Sequence, residues 1–166
     1  MPELPEVETI VRQLRPTLPG LIIGEVRVTH PDLIREPPRS FREQLVGTEF
    51  ARVSRRGKNI VLWLSGSQLL LVNLGMTGQL LFRPKEASAP PPSHCALTFS
   101  LLPHGTLYYA DVRRFGRILR LANAEWEEES ERLGPEPLEP ALTDAAFFRG
   151  TSRSRSPIRS WLLDQT

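Results

Sequence analysis

The first six residues, Met1-Pro2-Glu3-Leu4-Pro5-Glu6, bring together the residue types best suited to covalent chemistry. With Met1 removed, Pro2 carries a free secondary amine, which can attack an electrophilic carbon and form an iminium. An α-amino group has a reference pKa of about 7.7–8.0, against about 10.4 for Lys, so far more of it is unprotonated near neutrality. Glu3 and Glu6 fall within reach of the same point, and two carboxylates in different surroundings can divide acid and base duties. The same residues also make an ordinary helix start. Pro5 supplies a preset φ, and Glu6 and Glu8 face the positive end of the helix dipole.

Three internal stretches have chemistry of their own. Arg55-Arg56-Gly57-Lys58 is a basic turn between strand-like runs. Leu74-Gly75-Met76-Thr77-Gly78 follows an apolar run, and its two glycines permit a tight turn that pushes Met76 outward. An unbranched apolar side chain at a loop tip can fill the stack vacated by a flipped base. Asp111-Val112-Arg113-Arg114-Phe115-Gly116 is a third turn that carries two arginines and an aromatic. Core packing is the simpler reading of Met76 and Phe115, but flanking glycines speak against it.

The opening Met-Pro-Glu-Leu-Pro-Glu-Val-Glu-Thr resembles, nearly letter for letter, the start of the formamidopyrimidine-DNA glycosylase branch of the family it shares with endonuclease VIII. The endonuclease VIII branch usually has Gly where this chain has Leu4. The resemblance implies a base-excision repair enzyme, a bifunctional DNA glycosylase and abasic-site lyase. It would remove oxidised purines (8-oxoguanine, formamidopyrimidines) through a Schiff base on Pro2, with β- and then δ-elimination. It assigns Pro2 as nucleophile, Glu3 to proton transfer at the sugar, Glu6 to support of the terminus, and Lys58 to the phosphate or sugar beside the lesion.

On the same resemblance Met76 is one wedge, Arg113 reaches the base orphaned opposite the lesion, and Phe115 intercalates beside it, with Arg114 in the same DNA-contacting loop. Asn73 stands where the family usually has a phosphate-contacting His and can still donate a hydrogen bond. Arg159 stands where Lys is common. The implied partner is double-stranded DNA carrying oxidised bases or abasic sites, handled by a monomer in the cytoplasm, at damage sites on the bacterial nucleoid.

The resemblance extends through Leu133-Gly134-Pro135-Glu136-Pro137-Leu138 and Trp161-Leu162-Leu163-Asp164-Gln165, yet it covers only the first part of a family member. Members continue into a helix-two-turn-helix domain and a four-cysteine zinc finger. The expected organisation is a catalytic domain over 1–133, then a linker and the start of a truncated helix-two-turn-helix domain over 134–166. No metal site or cofactor is expected in this chain, because the zinc finger would lie beyond it. Two alternatives stand: a truncated, catalytically weak or inactive DNA-binding fragment, and an endonuclease VIII-like glycosylase for oxidised pyrimidines.

The elements that must position these groups follow from periodicity. Val7, Ile10, Val11, Leu14 and Leu18 recur at helical spacing, which predicts an amphipathic helix from Pro5 to about Leu18. A strand is expected over Leu21–His30 and a short helix over Arg39–Val46. Strand-like runs then follow at Thr48–Arg55, Ile60–Leu64, Leu69–Asn73, Gln79–Phe82, Ala96–Leu101, Thr106–Ala110 and Gly116–Leu121, with breaks at glycines and prolines. Strands this short and this closely spaced predict an α+β, mainly β fold: a two-layer antiparallel β-sandwich flanked by helices. Residues 84–93 read as a mobile surface loop, Glu125–Arg132 as an acidic helix or loop, and Ala145–Arg149 and Pro157–Asp164 as helices.

Composition sets outer bounds. With 40% hydrophobic and 24% charged residues, 166 residues suffice for one sizeable core. No apolar run approaches the roughly 18 residues of a membrane span and no signal peptide is visible. Cys95 is the only cysteine, so no internal disulfide and no cysteine-rich zinc site can form, and an inert buried thiol is expected. The net charge of +2 conceals a division: residues 124–140 hold seven acids and one base, which leaves +8 on the other 149 residues. Arg outnumbers Lys 19 to 2, and the guanidinium fork suits phosphate oxygens.

Overall fold

The structure, a computed structural model, describes residues 2–85, 89–136, 143–158 and 160. Arg159, most of the helix expected over Pro157–Asp164, Leu138 and the tip of the 84–93 loop lie outside the described residues. The chain separates into two compact units, Met1–Asn123 and Ala124–Thr166.

In the first unit the helix α1 (Leu4–Leu14) begins at Pro5's turn and buries Val7, Val11 and Leu14. It stops one turn short of the expected Leu18. Pro16 has no N–H to continue the ladder and its ring would meet the carbonyl of the preceding turn. The chain instead folds over itself, with the amides of Thr17 and Leu18 both donating to the Leu14 carbonyl, and so delivers Leu18 to the core. Strand β1 (Ile22–Val28), a 3₁₀ turn over Pro31–Leu33, and helix α2 (Pro38–Leu45) follow, with Phe41 and Leu45 inward as their spacing predicts.

Seven more strands complete the unit: β2 (Phe50–Arg56), β3 (Asn59–Leu64), β4 (Gln68–Asn73), β5 (Gly78–Arg83), β6 (Cys95–Leu102), β7 (Thr106–Asp111) and β8 (Arg117–Ala122). They form two four-stranded antiparallel sheets, in the orders β1-β6-β7-β5 and β2-β3-β4-β8. The two-layer sandwich read from strand spacing is the fold observed. Inward side chains of both sheets, among them Phe99, Tyr109, Ile60, Leu62 and Leu70, share one apolar core with α1 and α2. Burying each such side chain contributes about 1.5–3 kcal/mol before entropy is charged against it. Cys95 is half-buried rather than enclosed, its thiol against the Leu97 carbonyl and the Thr98 hydroxyl, because it sits at the first position of β6.

In the second unit, α3 (Asn123–Glu131), which starts at the boundary, is the acidic helix, and α4 spans Asp144–Arg153. The latter runs further than the expected Arg149. Thr151 and Ser152 place their hydroxyls on the carbonyls of Phe147 and Phe148 and so sit within the helix. Among the described residues no helix is long and apolar enough to cross a membrane.

Candidate active site and its two flanking loops

Strand register aligns the candidate groups. Asn59 of β3 pairs with Asn73 of β4, and Asn73 pairs with Arg117 of β8. These three residues are a row across one end of the sheet. Each adjoins a turn singled out by the sequence: Lys58 precedes Asn59, the Leu74–Gly78 loop follows Asn73, and the Asp111–Gly116 loop precedes Arg117. Neighbouring strands lie about 4.8 Å apart, so the three turns emerge side by side from a common edge. Residues far apart in sequence become neighbours through hydrogen-bond register alone.

The terminus reaches the same edge. Glu3 and Lys58 form an ion pair with Oε2 to Nζ at 2.7 Å. Pro2 is half-buried and adjoins Glu3 directly. The Glu3 amide donates to Glu6 Oε2 at 3.0 Å, so Glu6 fixes the backbone on which Pro2 is carried. Of the four catalytic candidates, Glu3, Glu6 and Lys58 are thus linked by direct contacts, and Pro2 is one bond away.

Lys58 is held in place from behind by a pair that sequence reading did not single out. Arg55, whose side chain is only 4% exposed, donates to Glu8 Oε2 at 3.0 Å and to the Gly57 carbonyl at 2.8 Å. Glu8 lies on α1 and also accepts from Arg12 at 2.9 Å. This ties the helix that begins at the terminus to the turn that carries Lys58. Burial alone would raise the Glu8 pKa, but hydrogen bonds from Arg12 and Arg55 and their charge outweigh it and hold the carboxyl below its ordinary value of 4.5. A depressed folded-state pKa means stabilisation that is complete above the unfolded value and lost as pH falls through the folded one. The expected result is that Glu8→Gln narrows the gap between urea midpoints measured at pH 7 and pH 3. An unchanged gap would place the acid sensitivity elsewhere.

The two loops are crossings between the sheets. The Leu74–Gly78 loop carries the chain from β4 to β5, and the Asp111–Gly116 loop carries it back from β7 to β8. Gly75 has φ +56°, and a Cβ there would lie 2.6 Å from both the Phe115 carbonyl carbon and the Gly116 nitrogen. The two backbones are therefore in contact, which only glycine permits. At the tips Met76 is 41% exposed and Phe115 54% exposed, so neither belongs to the core. Arg113 and Arg114 are exposed too. The Arg113 guanidinium lies 4.6 Å from the centre of the Phe115 ring, a cation–π pair that presents both at once. Arg114 takes φ +55° and reaches Asp32 at 3.5 Å.

Asn73 is engaged within the protein. Its Nδ2 donates to Asn59 Oδ1 at 2.9 Å and its Oδ1 accepts from the Gly75 amide at 2.9 Å. The amide side chain braces the turn that lifts Met76, while its second N–H can still serve a ligand.

Sequence reading also passed over Asp111, which is 2% exposed. Its Oδ1 accepts from the Thr77 hydroxyl at 2.5 Å and the Arg113 amide at 3.2 Å, and its Oδ2 from the Gly116 amide at 2.9 Å. Burial would raise its pKa, but these bonds and one from the Arg114 amide outweigh it and keep the carboxylate ionised below its ordinary range. Beneath it, Tyr109 is fully buried and donates to the Asn73 carbonyl at 3.2 Å. Burial and then the Asp111 charge push its hydroxyl pKa far up, so it remains a neutral donor. The one signal available was a lone acid closing an apolar strand just ahead of two arginines.

Among the described residues no three His, Cys, Asp or Glu side chains converge to hold a metal ion. Residues 1–118 match the family model for the formamidopyrimidine-DNA glycosylase N-terminal domain. The chain belongs to the formamidopyrimidine-DNA glycosylase family. A formamidopyrimidine-DNA glycosylase of Moorella thermoacetica is 44% identical over 168 residues, which cover 99% of this chain and 61% of that protein. The enzyme of that name from Thermus thermophilus is 40% identical over 99% of this chain and 58% of its own length. Among solved structures, the Lactococcus lactis glycosylase bound non-covalently to DNA containing an abasic site superposes with a TM-score of 0.87 at 29% identity, over 99% of this chain and 63% of that one. The same enzyme with DNA containing an N7-benzyl-formamidopyrimidine also gives a TM-score of 0.87, at 30% identity over 99% of this chain and 61% of that one. The chain thus spans about 60% of the length of the family members it matches.

Proposed function

We propose that this chain is the catalytic N-terminal part of a bifunctional DNA glycosylase and abasic-site lyase that removes oxidised purines. The observation that carries the reading is the 2.7 Å Glu3–Lys58 contact beside Pro2. It sets an acid and an ammonium at the one residue that can offer a secondary amine once Met1 is removed.

The steps then follow from the groups present. The Pro2 nitrogen lone pair attacks C1′, and the glycosidic bond breaks with its electrons leaving on the base, which takes up a proton. Glu3 transfers a proton at the sugar as the C1′–O4′ bond opens, and an iminium forms between C1′ and Pro2. The iminium withdraws electrons from C2′, so loss of a C2′ proton expels the 3′ phosphate. Loss of the C4′ proton then expels the 5′ phosphate. Lys58 faces the anionic oxygens beside the lesion. These steps require no cofactor.

None of this chemistry can occur inside a stacked duplex, and extruding the nucleotide costs a few kcal/mol. Met76 and Phe115, apolar and exposed at neighbouring tips, can fill the vacated stack, with Arg113 facing the orphaned base and Arg114 and Asn73 near the backbone. Arg159 keeps the cationic role suggested by its position in the sequence. A damaged DNA duplex is the partner, met by a monomer in the cytoplasm. Residues 1–133 are the catalytic part, and 134–166 lead into a helix-two-turn-helix domain.

Borohydride trapping tests the reading. With the terminus confirmed as Pro2, an abasic duplex is expected to give a covalent adduct that Pro2→Gly weakens or abolishes. No adduct at high protein concentration would leave a non-catalytic fragment. Leu4 and the Arg113-Arg114-Phe115 loop favour purine lesions, so release of 8-oxoguanine is expected to exceed release of thymine glycol.

A further inference from the structure

We propose that Asp111 is a positioning residue that welds the two crossing loops into a single insertion device, so that Met76, Arg113 and Phe115 enter DNA together and in one fixed arrangement. The proposal rests on the insertion role given above to those three side chains and adds how they are held.

The loops arrive from different strands and could have been two independent fingers. They are not. One carboxylate, with no exposed surface to speak of, takes its hydrogen bonds from both: Thr77 of the first loop, Arg113 and Gly116 of the second. Thr77 closes a three-membered ring of contacts, since its hydroxyl donates to Asp111 and accepts the Arg113 amide at 3.0 Å. Bonds to an ionised acceptor are about twice as strong as neutral ones. Removing the acceptor would leave the buried Gly116 amide without its partner and the Thr77 hydroxyl without its acceptor, which is costlier than losing one bond at a surface. The Gly75 backbone also lies directly against that of Phe115 and Gly116, so the loops meet main chain to main chain. Both loops are also anchored at their bases, the first through Gly78 paired with Asp111 and the second through Arg117 paired with Asn73.

The gain is preorganisation. A loop that must be ordered on contact charges that ordering against binding, whereas a loop already ordered does not. An arrangement fixed before DNA arrives also sets the spacing between the side chain filling the vacated stack and those facing the orphaned base. Substrates that need no extrusion would draw no benefit from it.

Thr77→Val and Asp111→Ala test this in the full chain. The abasic-site trapping rate is measured on a duplex and on a single-stranded oligonucleotide of the same sequence. The expected result is a loss of about tenfold or more on the duplex, the scale of one charged hydrogen bond, with the single-stranded rate nearly unchanged. Asp111→Asn keeps an oxygen for Thr77 and Arg113 but turns an NH₂ donor toward the Gly116 amide, and is expected to recover only part of the duplex rate. In parallel, amide hydrogen exchange is followed at 74–78 and 111–116 without DNA, where either variant should speed exchange in both loops together.

A duplex-to-single-strand ratio equal to wild type would overturn the proposal, as would an equal fall on both substrates or faster exchange confined to one loop. If the wild-type chain traps neither substrate, the functional reading has failed, and the exchange measurement still decides whether Asp111 couples the loops. Thr77→Val keeps shape and leaves the core untouched, so it remains informative should Asp111→Ala not fold.

Discussion

Glu3→Gln is expected to lower single-turnover base excision by about 10²–10⁴, the range for loss of a positioned proton-transfer group and equivalent to about 2.7–5.4 kcal/mol of barrier. The substitution is chosen because it separates chemistry from structure. Glutamine has the size of glutamate and keeps a side-chain oxygen for the Glu6 amide in the capping box that starts the helix. The Glu3 amide still donates to Glu6, and the Glu3 carbonyl still accepts from Val7 at 3.1 Å. What disappears is the carboxylate proposed above to transfer a proton at the sugar, together with its ion pair to Lys58. The thermal midpoint should therefore stay close to wild type while the rate collapses. Quench-flow measurement of excision from an 8-oxoguanine duplex, with calorimetry on the same sample, reads both. A variant that excises at the wild-type rate would remove Glu3 from the reaction.

Gly116→Ala carries the largest expected effect on stability. A Cβ at this position would overlap the Tyr109 hydroxyl and lie 2.7 Å from the Asn73 carbonyl oxygen and 3.1 Å from Asp111 Oδ2. None of the three can yield. Tyr109 is wholly enclosed, the Asn73 carbonyl belongs to β4, and Asp111 is held by its donors from both loops. Nor can Gly116 retreat, because its amide is bound to Asp111 and Gly75 lies against its other side. Overpacking of this sort costs about 1–3 kcal/mol or more. In a chain of this size each kcal/mol shifts the thermal midpoint by about 2–4 °C, so at about 3 kcal/mol, the upper end of that range, a fall of about 6–12 °C is expected. Gly24→Ala is the comparison, since its Cβ would meet the side chain of Leu102, 3.1 Å away and largely exposed, which can swing aside. Equal midpoints for the two variants would contradict the close fit beneath the loops.

The sandwich was legible because its strands are short, alternate cleanly and are separated by glycine or proline. Val7, Val11 and Leu14, and likewise Phe41 and Leu45, announced which helix faces turn inward. The end of α1 was misjudged because periodicity counted Leu18 while Pro16 had already ended the ladder. The turn at Lys58 and the tips bearing Met76 and Phe115 could be picked out from glycines and charge, and resemblance supplied their roles. What could not be seen were the groups that hold them. Glu8 and Arg55 lie 47 positions apart, and nothing local to either says they meet. Thr77 and Asp111 are 34 apart, and Asp111 looks like any polar residue closing a strand. The first pair arises where a helix packs on a sheet and the second from sheet register, and both are properties of whole elements facing one another rather than of a stretch of residues.

The row formed by Asn59, Asn73 and Arg117 has a consequence for redesign. Because a β-ladder acts as a ruler, the spacing between the turn that carries Lys58 and the tips that carry Met76 and Phe115 is graduated by main-chain spacing and indifferent to tip identity. Under the function proposed above, side chains at 76, 112, 113 and 115 could then be exchanged as a cassette, retuning which base is tolerated across from the lesion without recalibrating the chemistry proposed at Pro2.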